Sequence, residues 1–415
     1  MHILSHYSRR RTSLTKSVFK TLLLSASALL LAGALIIFPQ EAVKASVRGL
    51  DMWWKVVFPS LLPFFIASEM LIGFGVVKFV GILLEPFMRP IFRVPGAGGF
   101  VLAMGMASGF PAGAKLTARL RQERQLTSLE ATRLVSFTNS SNPLFICGAV
   151  AVGFFHNPHL GILLALAHYL GNLSVGVIMR FYGGSSVIDS PSKKGLPSFK
   201  EALREMHRYR LSDNRPIGKL LGDAVSSAIQ SLLMIGGFII LFSVLNKLLL
   251  LMNVTSLFSH LLSLVFPLFH LSTDLSLPFV SGLFEITLGS RLTSDITSSH
   301  LLHQAIITSF ILGFSGFSVQ AQVASILAET DIKFLPFFIA RILHGCFAMI
   351  ITILLWRPLH SYITSYNPSV PTSTNETFGW MSEYWHVCIT YGPLLTIGFL
   401  LLYVWLLFKN LRRAL

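Results

Sequence analysis

The stretch Met106-Ala-Ser-Gly-Phe-Pro-Ala-Gly-Ala-Lys115 lies in an apolar neighbourhood, yet Gly109 and Pro111 break any helix that enters it. The apolar part before it, about 98–110, is too short to cross a bilayer core, which takes about 20 helical residues. Basic residues flank the stretch on both sides: Arg89 and Arg93 before it, Arg119, Arg121 and Arg124 after it. This pattern predicts a re-entrant hairpin that enters and leaves from the cytoplasmic side. A second stretch, Phe314-Ser-Gly-Phe-Ser-Val-Gln-Ala-Gln322, repeats its core: Ser108-Gly109-Phe110 matches Ser315-Gly316-Phe317, and Lys115 matches Gln322. Two interrupted, polar-tipped segments at matching places in two halves of a membrane chain point to the site of a secondary transporter.

The remainder of the sequence supports a membrane setting. It is 53% hydrophobic and 12% charged, with a mean hydropathy of +0.67. A soluble domain carries about 25% charged residues. The fold class expected is an all-α polytopic membrane protein with two inverted-type repeats. Each repeat has a re-entrant helical hairpin and a broken transmembrane helix. The net charge of +15 comes mostly from residues between apolar spans, where they set orientation, so no nucleic-acid partner is expected. Cys147, Cys346 and Cys388 show no ligand spacing, and no metal site is expected.

In chain order, residues 1–55 hold a basic N-terminal segment, an uncleaved first span over 21–38 and an interfacial helix over 41–55. A first repeat occupies 56–181. It begins with a span over about 56–80 that carries Glu69, and continues with a cytoplasmic surface helix over 81–94, the hairpin and a helix opened by the capping box Thr127-Ser-Leu-Glu130. Asn139-Ser-Ser-Asn-Pro143 breaks that helix, Leu144 to Phe155 completes the crossing, and a plain span follows over 160–181. The basic stretch 182–217 reads as a cytoplasmic loop. The second half, 218–356, has spans at 226–249 and 252–270, an interrupted segment around Glu285, a second hairpin over 300–330 and a span ending at Trp356. Residues 357–415 form a tail with a further span over 386–408.

The second half restates the first in order. Leu62-Pro63-Phe64 returns as Leu277-Pro278-Phe279, Glu69 as Glu285, Gly73 as Gly289, and Arg133 as Arg341. Five crossings between Leu62 and Leu277 would invert the second repeat. The same count places the C-terminus outside, whereas Lys409, Arg412 and Arg413 favour the cytoplasm, so one crossing in the second half is misassigned.

Two hairpin tips with helix N-termini facing a common centre make an anion site. Ser108, Gly109, Ser315, Gly316 and Ser318 supply hydroxyl and backbone donors there, and Lys115 either adds a positive charge or snorkels to the cytoplasmic surface. Gln320 and Gln322 are ready for a carboxylate or a ring nitrogen. Unwound carbonyls and side chains at Asn139, Ser140, Asn142, Glu285 and Thr287 suit substrate or a coupling cation, and Glu69 or Glu285 a proton; sodium, proton and no coupling all stay open. The expected partners are thus a small anionic molecule, the lipid bilayer and a coupling Na+ or H+. No cofactor is expected. Neither a zinc-protease pattern nor a phosphate-binding glycine loop with Lys-Ser/Thr is present, so an enzyme or ATP-driven pump is not expected.

The SGFPAGAK stretch, Glu130-Ala-Thr-Arg-Leu134 with Asn139-Ser-Ser-Asn-Pro-Leu-Phe145, the GLFE segment ending at Glu285 and Gly313-Phe-Ser-Gly-Phe-Ser-Val-Gln-Ala-Gln322 together resemble the YlbJ (SpoVV) family of sporulation integral membrane proteins. The resemblance covers about 20–356. It implies two copies of the Gate nucleoside-recognition domain, kinship with concentrative nucleoside transporters, and movement of dipicolinic acid from mother cell toward forespore across the outer forespore membrane. A cation-coupled nucleoside carrier and a non-transporting sporulation scaffold are the competing expectations.

Overall fold

A computed structural model describes residues 2–184, 199–213 and 215–364, and all regular structure among them is helical. The expectations for the tail beyond 364, its span over 386–408 included, lie outside these residues. Helix α1 (His2–Ile37) gives way at Pro39 to α2 (Pro39–Met52), and the axis turns by 103° there. One π-helical turn, Trp53–Val57, leads into α3 (Phe58–Gly73). Gly75 then adopts a left-handed φ of 78°, and α4 (Val76–Phe92) leaves at 82° to α3.

The first hairpin forms where the sequence places it. Helix α5 (Ala97–Ser108) and helix α6 (Ala112–Gln122) flank the turn 109–111. Gly109 has φ 86° and ψ −173°, a region open essentially to glycine alone. A Cβ on Gly105 would come within 3.3 Å of the Gly113 Cα. Those residues would stand about 12 Å apart in a continuous helix, so the arms double back. Helix α7 (Ser128–Thr138) starts with the expected capping box, in which Thr127 and Glu130 satisfy each other's backbone N–H groups. It unwinds at Asn139–Asn142 and continues as a π-helical segment, Leu144–Phe154, before α8 (Pro158–Met179).

Beyond α8 come α9 (Phe199–Ser212), α10 (Ile217–Leu251) and α11 (Val254–Val265). Segment 39–73 lies antiparallel along α10. Its contacts run in order: Glu41 with Lys247 at 3.0 Å, the Ala45 carbonyl with Ser243 Oγ at 2.7 Å, the Trp53 indole with the Leu232 carbonyl at 2.9 Å, and Glu69 with Ser227 Oγ at 2.9 Å. This corrects the reading of 41–55 as a separate interfacial helix. Its charges do not detach it, because its small residues Ala45 and Gly49 face α10 closely. Helix α11 is too short to cross, which corrects the span expected over 252–270.

The second hairpin is elsewhere than expected. Helix α12 (Ser276–Phe284) and helix α13 (Ile286–Ser294) meet at Glu285, and a Cβ on Gly289 would overlap the Gly282 Cα. Seven residues in one helix would separate them by about 10 Å, so the chain reverses at Glu285. Helices α14 (Leu301–Phe314) and α15 (Gly316–Leu327) instead form one apolar span, Leu301–Leu327, interrupted at Ser315. The Ser-Gly-Phe echo therefore pairs a hairpin tip with a broken span. The physical difference is Pro111, which has no counterpart after Gly316. Helix α16 (Phe334–Thr364) completes the described chain.

Contacts at the two ends give the hairpins opposite directions. At the basic end, Arg121 grips both Asp331 carboxylate oxygens at 2.7 Å and Ser128 Oγ donates to the Asp331 carbonyl at 3.0 Å. Arg133 donates to the Tyr182 carbonyl at 2.7 Å. The first hairpin's base, the start of α7, the end of α8 and the start of α16 therefore share one face. The Arg121 guanidinium holds the Asp331 carboxyl below its usual range. At the other end, Asn157 Nδ2 donates to the Ile363 carbonyl at 3.1 Å. Leu160 and Ile363 there join one apolar cluster with Leu275, Ile296 and Leu301 at the base of the second hairpin. The hairpins thus enter from opposite faces. Four helices among the described residues are long and apolar enough to cross a membrane, six if each bent pair counts as one span.

The Gly282–Gly289 contact yields a direct test. Gly289→Ala forces the arms of the second hairpin apart and should destabilise the protein by roughly 3 kcal/mol or prevent folding. Gly237→Ala on exposed α10, where a new Cβ meets nothing within 4 Å, should stabilise by up to about 1 kcal/mol. Thermal unfolding in detergent separates the two.

Candidate functional site

Three of the four interruptions, and the first turns of α15 after the fourth, line one cavity of about 570 Å³. Ser108, Gly109 and Phe110 come from the first hairpin tip, and Ser141 and Asn142 from the first broken helix. Glu285 and Thr287 come from the second hairpin tip, and Ser318 and Gln322, one turn apart on α15, from the second broken helix. The facing wall is built by residues Met52 to Leu61 and by Ile235 and Ile239 of α10. Volume, apolar walls and a few converging polar groups suit a small-molecule site.

The first break is held by a network that local sequence patterns do not announce. Asn142 Nδ2 donates to the Ser108 carbonyl at 3.1 Å, while its Oδ1 accepts the Phe145 N–H at 2.7 Å. One side chain thus ties the hairpin tip to the break and caps the following segment. His168 Nε2 accepts the Ser141 N–H at 2.9 Å, and Tyr169 donates to the Ser141 carbonyl at 3.0 Å. Arg341, wholly buried on α16, donates to the Asn139 carbonyl at 2.7 Å and to the Ser136 carbonyl. A cation on the last carbonyls of α7 is favoured by the helix dipole. His168 and His344 stand ten residues into α8 and α16 respectively, with ring centroids 4.6 Å apart. That shared offset was a signal for the histidines of this network in the sequence.

The second hairpin departs from the electrostatic expectation. The Glu285 carboxylate accepts the Thr287 N–H at 3.0 Å and the Leu288 N–H at 2.7 Å. The first free amides of α13 at this tip are therefore already capped from within the chain. Ser315, Gly316 and Gln320 sit behind the cavity; Gln320 Nε2 donates to the Phe314 carbonyl at 3.1 Å and closes the end of α14. Asn139 and Ser140 are also behind the wall, and their side-chain polar atoms have no hydrogen-bond partner in the structure.

Lys115 and Glu69 correct the sequence reading together. Lys115 Nζ lies 3.3 Å from Glu69 Oε1 and 4.9 Å from the Phe65 ring centroid, so neither charge reaches the cavity. Each neutralises the other where α6 meets α3 and α10, because two opposite charges at membrane depth are far less costly paired than alone. Lys115→Ala should destabilise the protein by about 3 kcal/mol, and Lys115→Met combined with Glu69→Gln should recover most of that loss. Chemical unfolding of the purified variants measures both.

Comparison with known proteins finds similar sequences and structures. Residues 54–157, which include the first hairpin and the first broken helix, match the Gate family, described as nucleoside recognition. The structure is similar to CNTnw in an inward-facing substrate-bound state, at 12% identity over 82% of this chain and 87% of that one, with a TM-score of 0.43. It is also similar to a doubly substituted CNTnw in an outward-facing state, with a TM-score of 0.39 at 13% identity over 79% and 87%. In sequence it is 58% identical over 397 residues, 94% of this chain and 96% of the relative, to the sporulation integral membrane protein YlbJ of Bacillus subtilis (strain 168). At that identity and coverage, the chain belongs to the YlbJ family of sporulation integral membrane proteins.

Proposed function

We propose that this protein carries a planar aromatic carboxylate across the membrane, and that the substrate is dipicolinic acid moved from mother cell toward forespore across the outer forespore membrane. The observation that carries the reading is the single cavity built from two hairpin tips and two helix breaks. Interrupted helices facing a common centre are the usual construction of a transport site. The aromatic ring packs between Phe110 and Phe145 on one side and Ile235 and Ile239 on the other. Ser318, Gln322 and Asn142 offer hydrogen bonds to its carboxylates and ring nitrogen. The buried, unpartnered oxygens of Asn139 and Ser140 are the place we assign to a coupling Na+.

A second reading, a nucleoside carrier, is favoured by the Gate match over the first hairpin and break. Glu285 and the amide side chains of Asn142 and Gln322 are suited to a ribose and a base. Uptake of labelled dipicolinate into liposomes holding the purified protein, with and without excess uridine and with and without a sodium gradient, separates the readings. Saturable, uridine-insensitive uptake that rises with the gradient is expected. Asn142→Ala and Gln322→Ala should each lower uptake efficiency about tenfold, since one lost hydrogen bond of roughly 1.4 kcal/mol is a factor of ten. Uridine competition would favour the nucleoside carrier, and inert alanine variants a scaffold.

A further inference from the structure

The cavity's facing wall carries a cation that the sequence reading treated as interfacial. Lys55 is the only lysine or arginine among the described residues that line the cavity. It does not stand at a membrane surface. Two residues earlier, the Trp53 indole donates to the Leu232 carbonyl at 2.9 Å, and a Cβ on Gly236 would come within 2.6 Å of the same ring. Leu232 and Gly236 are at the middle of α10, which runs from Ile217 to Leu251. Lys55 is therefore level with the centre of the longest described apolar helix. A lysine at that depth costs roughly 2.5–3.5 kcal/mol on the insertion scale and marks a functional position.

The backbone aims it. Trp53–Val57 is a π-helical turn, closed by the Phe58 N–H on the Trp53 carbonyl. Such turns insert one residue into a helix and recur at functional sites. Here Trp53 is buried against α10 while Lys55 is exposed and lines the cavity. The ion partner of Lys55 is Asp51, at 2.9 Å and one turn away, with side chains 68% and 54% exposed. The pair is open rather than enclosed, which leaves the ammonium accessible to a ligand carboxylate in the cavity. The scaffold wall thus carries the lining cation and the hairpin wall the carboxylate.

We infer that Lys55 is the residue by which the site selects an anion, its ammonium pairing with one carboxylate of the aromatic acid while the second carboxylate meets Ser318 and Gln322. The inference rests on the aromatic-carboxylate reading above and names the group that reads the charge. A neutral nucleoside offers Lys55 no negative charge, so the residue also divides the two substrate classes.

Equilibrium binding to the full-length protein in nanodiscs tests this with labelled dipicolinate and its neutral isostere pyridine-2,6-dicarboxamide. The wild type should bind the dianion at least tenfold more tightly than the diamide. Lys55→Gln should bring the dianion down to the diamide's affinity, and Lys55→Arg should restore the preference. A Lys55→Gln protein that keeps the full preference, or a wild type without one, overturns the inference. Flux into liposomes is read separately. Charge-selective, Lys55-dependent binding without flux supports the inference and defeats the transport reading. Flux with binding indifferent to Lys55→Gln supports transport and overturns the inference.

Discussion

A backbone that stops being helical inside a bilayer must find its hydrogen-bond partners within the protein, because lipid offers none. The structure interrupts its helices at Gly109–Pro111, Asn139–Asn142, Glu285 and Ser315, and each interruption is answered locally or by a neighbouring helix. Asn142 caps one, Glu285 caps another through its own carboxylate, and Gln320 closes a third. Arg341 reaches from α16 to the open carbonyls of α7. Once these groups are placed, the hairpins point inward from opposite faces and the cavity is the space left between their tips.

This constraint also explains where charge resides. The Glu69–Lys115 pair joins the first hairpin to α3 and α10 away from the cavity, and the Arg121–Asp331 clamp ties the two halves together at the basic end. Both pairs hold elements in place. Among the described residues that line the cavity the charges are Glu285, bound to its own helix, and Lys55, paired with an exposed aspartate. The cation is the freer of the two, which is the ground for the anion preference proposed above despite the carboxylate in the wall.

Much of this was legible in the sequence where the signal is chemical and local. Gly109 with Pro111 gave the first hairpin, Thr127 with Glu130 the start of α7, and Asn139-Ser-Ser-Asn-Pro143 the break that follows. The second half misled because repetition was read from letters. Ser315-Gly-Phe317 copies the first hairpin tip, but without a proline the chain unwinds at one residue and resumes as α15. The true partner of the first tip is Glu285, where the small residues Gly282 and Gly289 permit two helices to touch. The roles of Ser141 and His168 were missed, and Lys55 was read as interfacial, for a different reason. Their roles come from long-range contacts and from a π-helical turn, and neither leaves a periodic trace in the sequence.

The central claim is that the interruptions of both halves form one ligand site. In a protein whose Cys147, Cys346 and Cys388 are replaced, single cysteines at Asn142 and at Thr287 place one reporter in each half. The measurement is the rate at which a small water-soluble thiol reagent labels each cysteine, with and without saturating dipicolinate. The account predicts that ligand slows labelling at both positions at the same concentration, and leaves a cysteine at exposed Ser325 unaffected. Protection at one position only, or at neither while the protein binds the ligand, would contradict it.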